Sequence, residues 1–233
     1  AAAVPLLRDR SEDERRLWHD GVARYRRTLE ACDAFLATTE PIAAVGRALG
    51  VPTHLHRCGV SRAELAIGAA AARARDLAGA RAVRLGYFSG TATHDADLAT
   101  LAEPLAAVLA AHPAVELLIV GPVALPAALA PFADRVVREA VVPWTVLPTL
   151  VATCTASLAP LDWRHPFVAA KGAVKYLEAA TVGVPVIASP TDAFRDAVRD
   201  GVSGWLAADA HAWEQALATV VAHPERAAHV GAT

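Results

Sequence analysis

The chain has 233 residues, a formal net charge of −2, 55% hydrophobic residues and 20% charged ones. That balance excludes a disordered chain and the basic excess of a nucleic-acid binder, and it suits one large or two small globular domains. No apolar run approaches the roughly 18 residues of a membrane span, residues 1–10 lack the apolar core of a secretory signal, and Cys32, Cys58 and Cys154 fit neither a disulfide framework nor a zinc site, so a reducing, cytoplasmic setting is expected.

Ser11 and Glu14 have capping-box spacing, and Trp18, Val22, Tyr25 and Leu29 recur at helical intervals, so a helix is expected to about Ala31. Ala34 to Ala37 reads as a short strand. Thr38-Thr39-Glu40-Pro41 starts a second helix that stops at Gly50, Thr53 to Arg57 is a second strand, and Ser61 with Glu64 again has capping-box spacing. The Ala/Arg-rich segment 66–80 is a helix or a linker between two lobes. Strands and helices then alternate. A strand over 83–88 leads through the small-residue loop 89–93 to a helix over 95–111, and a strand over 116–120 is closed by Gly121-Pro122. A short helix over 125–132, a strand at 136–137, the turn 142–144, a helix over 146–152, a strand over 156–161 and the loop 162–167 follow. A helix from Lys171, stopped by Gly183 and Pro185, precedes a strand over 184–188. Helices near 193–199 and from about Ala210, separated by the segment 201–206, complete the chain, and no solenoid-type repeat is visible. Methionine is absent, position 1 included, so a piece of a longer protein is expected.

Alternating strands and helices imply a parallel sheet covered on both faces, with ligands at the carboxyl ends of its strands. Loops 89–94, 121–122, 142–144, 162–171 and 189–194 are therefore expected to line one cleft. Read as a helix, KGAVKYLEAA puts Lys171, Lys175 and Glu178 on one face and Ala173, Val174, Tyr176 and Leu177 on the other. A basic helix start beside strand ends suits an anionic ligand, while by spacing alone the same charges describe an ordinary solvated face. His54 and His56 share a strand face without a third ligand nearby, so no metal site is expected there. Trp144, Trp163 and Trp205 read as packing residues, Trp163 on the cleft rim. GVSGW is no nucleophile elbow, and the absence of G-x-G-x-x-G argues against a dehydrogenase.

The run from Val141 to Ala207 carries Pro160-Leu161, Phe167, Lys171-Gly172, Lys175 and Glu178-Ala179 in the spacing P-L-x5-F-x3-K-[SG]-x2-K-x2-E-A. It resembles the donor-sugar lobe of glycosyltransferase family 4, of the two-domain GT-B architecture, in its bacterial surface-polysaccharide branch. Val83 to His94 resembles the first strand and loop of that lobe, and residues 11–65 resemble the end of the preceding lobe. The resemblance implies an α/β fold: a Rossmann-like parallel sheet with helices on both faces over residues 79–233, preceded by a remnant of the acceptor-side lobe over residues 1–78. It further implies a cytoplasmic enzyme that moves a hexosyl-type sugar from a nucleotide-diphosphate donor to a glycan or lipid-linked acceptor. Retention, no metal or other cofactor, no nucleic-acid partner, and peripheral membrane contact by the longer protein go with that expectation.

By position in the motif, Lys171 contacts the diphosphate with Lys175 assisting, and Glu178 accepts hydrogen bonds from the ribose hydroxyls. Gly90 and Thr91 admit the phosphates, and Val142 and Pro143 border the base. His94 either touches a phosphate or the sugar or caps the helix at Asp95, and Asp162 either orients the sugar or holds its loop. Many family members have an earlier glutamate where this chain has Ala170. That departure keeps open a non-catalytic glycosyltransferase-like binding or scaffold domain, with a nucleotide-sugar epimerase of similar two-lobe fold as a third reading.

Overall fold

The structure, a computed structural model, describes residues 7, 10–79, 82–162, 164 and 166–233. Trp163 and His165 of the expected cleft loop lie outside the described residues. The chain divides into two compact units, residues 1–58 with 163–172, and residues 59–162 with 173–233.

In the first unit, α1 (Glu12–Glu30) begins with the expected capping box: the Ser11 hydroxyl accepts from the Glu14 N–H while Glu14 reaches back to the Ser11 N–H. None of its residues is buried. Strands β1 (Phe35–Ala37) and β2 (Thr53–Leu55) pair in parallel, connected by α2 (Glu40–Ala48). A 3-10 segment, Pro166–Ala170, packs on α2, and the Thr39 hydroxyl donates to the Ala170 carbonyl at 3.3 Å.

The second unit starts with α3 (Arg62–Ala78), which settles segment 66–80 as helix as far as Ala78. Its own capping box holds the first turn, and α3 packs on a later helix of the same unit. The contacts consequently part the chain after Cys58, with α3 on the far side of that cut. Gly68 also lets α3 come close to the Thr181 backbone: a Cβ there would sit 2.6 Å from the Thr181 carbonyl oxygen. Arg75 adds a hydrogen bond to the Val182 carbonyl at 2.7 Å.

Next come β3 (Arg84–Phe88), α4 (Asp95–Ala99), α5 (Ala102–Ala111), β4 (Glu116–Val120), β5 (Val136–Glu139), α6 (Leu147–Val151) and β6 (Ala156–Ala159). After the return from the first unit follow α7 (Val174–Ala180), β7 (Val186–Ala188), α8 (Asp192–Ala197), β8 (Gly204–Leu206), α9 (Ala210–Ala222) and α10 (Pro224–Gly231). The six strands β3 to β8 form one parallel sheet in the order β5-β4-β3-β6-β7-β8. Counted within the unit this is 3-2-1-4-5-6, so the order reverses between β3 and β6, the place where such sheets open a crevice.

Side chains alternate across the sheet as the strand period requires. Leu85 and Tyr87 of β3 and Leu117 and Ile119 of β4 enter one buried cluster with α5 and α9. Phe88, Leu118 and Val120 enter the other, with Ala71 of α3, Val151 of α6 and Ala179 of α7. Both faces are therefore covered, as expected of a parallel sheet.

Three expected elements differ. The helix over 95–111 breaks after Ala99, because Pro104 has no N–H for the Thr100 carbonyl and the chain tightens into i to i−3 bonds, Thr100 to Asp97 and Leu101 to Leu98. The helix over 125–132 is a 3-10 segment, Ala127–Arg135, kinked at Phe132 beside Pro131. Helix α7 starts at Val174, so Lys171 precedes it and the common helical face of Lys171, Lys175 and Glu178 does not form. Ala173, with ψ of 36°, is outside the helix, and Val174, expected against the sheet, is exposed.

Candidate functional site

Two groups of predicted residues come together within the second unit. The first lies at the carboxyl ends of β3 and β6. Phe88 ends β3, and Lys175 of α7 donates to its carbonyl while its ammonium sits 5.1 Å from the centre of the Tyr87 ring. Gly90 is exposed, and a Cβ on it would meet nothing within 4 Å, so the loop is open on that side. The Ser89 hydroxyl donates to the Thr91 carbonyl at 2.8 Å, and the Thr91 and Thr93 hydroxyls pair at 2.6 Å. Ser89 and Gly121 bring the loops after β3 and β4 into direct contact, with Gly121 at φ 108°.

His94 takes the cap position before α4, but its side chain does not cap the helix. It turns to Asp97, with Nδ1 2.7 Å from Oδ2. The other oxygen of Asp97 accepts the Asp162 N–H at 2.7 Å, so Asp162 is bound through its backbone to the β3 side of the crevice. Tyr87, wholly buried, donates its hydroxyl to the His94 carbonyl at 3.1 Å. Burial, then the nearby carboxylates of Asp97 and Asp95, push the phenol's pKa far up and keep it a donor. On the β7 side, the buried Ser189 hydroxyl accepts the Leu161 N–H at 3.0 Å. Asp97 is thus the residue that sequence reading missed. The signal available was the i, i+3 spacing of a histidine and a carboxylate at a helix start.

The second group is a cleft of about 530 Å³, open solvent space included, between α3, α6 and α7. Its walls are mainly apolar, from Trp144, Leu147, Val151, Val174 and Leu177, with Glu178, Glu64 and Thr181 as its polar members. Trp144, expected to pack, is 56% exposed and borders the cleft, whereas Trp205 is buried as expected. Val142 is half-buried and Pro143 exposed, and the Pro143 carbonyl accepts the N–H groups of Val146 and Leu147 at the start of α6. Glu178 is half-buried. Desolvation raises its pKa, the neighbouring Lys175 ammonium opposes that, and Glu64 adds to the rise. Chemically the cleft offers apolar walls for a ring and two carboxylates as acceptors, Glu178 and Glu64, the latter also accepting the Ser61 N–H.

The five loops do not all meet in that cleft: Gly90, Thr91, Val142, Pro143 and Asp162 are outside its lining, and of loop 142–144 only Trp144 reaches it. Lys171 belongs to the first unit, where its N–H donates to the Val168 carbonyl at 3.1 Å. Among the described residues no three His, Cys, Asp or Glu side chains gather as a metal ion would require, and no helix is long and apolar enough to cross a membrane.

Residues 83–223 match the family model described as glycosyl transferases group 1. No curated protein matches the chain at a significant level. Among solved structures, Anabaena Alr3699/HepE in complex with UDP-glucose is similar over 88% of this chain and 61% of its own, at 17% identity and a TM-score of 0.64. Sucrose-phosphate synthase from Thermosynechococcus elongatus is similar over 100% of this chain and 57% of its own, at 21% identity and a TM-score of 0.64. TarM from S. aureus, in a complex that includes UDP, is similar over 90% of this chain and 41% of its own, at 14% identity and a TM-score of 0.64. At these identities the likeness is one of fold, and the chain spans about three-fifths or less of each of these proteins.

Proposed function

The chain belongs to the group 1 glycosyl transferases, and on that premise we propose that it binds a nucleotide-diphosphate sugar and serves transfer of that sugar to a glycan or lipid-linked acceptor. Its second unit has the Rossmann-like fold of a GT-B C-terminal lobe. The observation that carries the reading is Glu178, a half-buried carboxylate on the wall of an apolar cleft, carried by the same short helix as Lys175, which bonds the Phe88 carbonyl at the end of β3. There Trp144 and its apolar neighbours take the base, Glu178 the ribose hydroxyls, and Lys175 and the open Gly90-Thr91 loop the diphosphate. By its place in the motif, Lys171 also serves the diphosphate.

In this reading the enzyme is a family 4 member of the bacterial surface-polysaccharide type, cytoplasmic, with peripheral membrane contact by the longer protein. It transfers a hexosyl-type sugar with retention, using cationic side chains and backbone N–H groups in place of a metal for the leaving diphosphate. The test is calorimetry with UDP, GDP and dTDP on the wild type, Glu178→Ala and Lys171→Ala. Loss of a hydrogen bond to a charged group predicts binding weaker by about 10- to 100-fold in each variant. The reading falls if no diphosphate binds, or if both variants bind like the wild type.

Ala170 supports a second reading, a glycosyltransferase-like domain that binds a nucleotide sugar without turning it over. Donor hydrolysis by the full-length protein separates the two: turnover excludes the binding-only domain, and binding without turnover across donors excludes the enzyme.

A further inference from the structure

We propose that Asp97 is the positioning residue of the strand-end crevice, locking the His94 ring and the Asp162 backbone into one arrangement for a donor diphosphate. The inference rests on the nucleotide-sugar reading above. Asp97 is 4% exposed. A buried carboxylate is costly unless its oxygens are matched by donors, and here they are: Oδ2 lies 2.7 Å from His94 Nδ1, and Oδ1 accepts the Asp162 N–H at 2.7 Å. These partners come from opposite sides of the β3/β6 reversal.

The surroundings fix this bridge from three further directions. Tyr87 holds the His94 carbonyl, the Thr100 hydroxyl donates to the Asp97 carbonyl at 2.7 Å, and Asp95 accepts the Ala124 N–H at 3.0 Å. One five-residue helix therefore ties the loops after β4 and β6 to the end of β3. Because a carboxylate only accepts, the bridge calls for the proton on Nδ1 of His94. The His94 side chain is 28% exposed against 6% for Asp97, so His94 is the member that reaches solvent while Asp97 acts through it.

The variant Asp97→Asn separates positioning from bulk structure. Its amide keeps an oxygen for the Asp162 N–H but presents an NH2 group to His94, which reverses the demand on Nδ1. Nitrogen-15 NMR of His94 in the full chain is expected to show the proton on Nδ1 in the wild type and on Nε2 in D97N. Calorimetry with UDP, GDP and dTDP is expected to show D97N and H94Q each weakening the bound diphosphate about tenfold, with the double variant no weaker than the worse single one. H94Q alters an accessible side chain and reports even if D97N melts. A wild type with Nδ1 unprotonated, D97N binding like the wild type, or losses that multiply in the double variant would overturn the positioning role. A wild type that binds none of the three diphosphates removes the nucleotide-sugar reading itself, and this role with it.

Discussion

A Cβ on Gly121 would sit 1.8 Å from the carbonyl oxygen of Ser89. The backbone of Gly121 also has φ of 108°, where an L side chain is strained whatever the space. Gly121→Ala is therefore expected to separate the loops after β3 and β4 and to destabilise the second unit by about 2 kcal/mol or more. Chemical denaturation checks it, and an unchanged midpoint would contradict the contact.

Glu178 gives a pH-dependent stability. Its folded pKa is raised, chiefly by burial, so the folded state binds the proton more tightly than the unfolded one. The destabilisation is absent below the ordinary carboxyl range and grows as pH rises through it to the folded value. Glu178→Gln removes the ionisation, and its Tm at pH 7 is expected to equal or exceed that of the wild type. The gap should close as the pH falls toward about 4, and a gap that widens in acid would refute the assignment.

Glu64 is expected to act on Glu178 at a distance. It completes the capping box of α3 and contributes to the raised pKa of Glu178. Glu64→Gln keeps the cap, since glutamine can also reach the Ser61 N–H, but removes the charge. The Glu178 carboxyl should then titrate lower, a shift that carbon-13 NMR reads, and helix content should hold.

The three thiols differ in reactivity. Burial pushes the Cys154 pKa up to about 12, while Cys32 is exposed. A thiolate reagent at pH 8 should label Cys32 and leave Cys154 unmodified in the native protein. Mass spectrometry of tryptic peptides tests the order, and equal labelling would mean that the sheet opens.

Much of this arrangement was legible in the residues. Both capping boxes, the strand–helix alternation and the glycine and proline that end α7 are local signals, and each is found in the structure. The start of α7 was not legible, because charge spacing from Lys171 to Glu178 fits a helix whether or not residues 171–173 belong to it. Pro104 was a visible breaker in the run 95–111. Trp144 could not be separated from a packing residue, since its exposure depends on how α3, α6 and α7 surround the cleft. Asp97 was hidden for a related reason: its role arises from Asp162, far along the chain, and only strand order brings the two together.

That strand order also has a kinetic meaning. Leu85 is in register with Ala156 and Gly86 with Ser157, so the seam at the centre of the sheet joins segments some seventy residues apart. Strands β3, β4 and β5 follow one another in sequence and can pair as soon as they are made, whereas β3 waits for β6 on its other edge. Long-range parallel pairing is slow because loop closure precedes any gain from contact. As the chain leaves the ribosome, the nascent half-sheet thus carries an unpaired, apolar β3 edge until residue 159 has emerged. That interval is when a chaperone would be needed and when aggregation would begin.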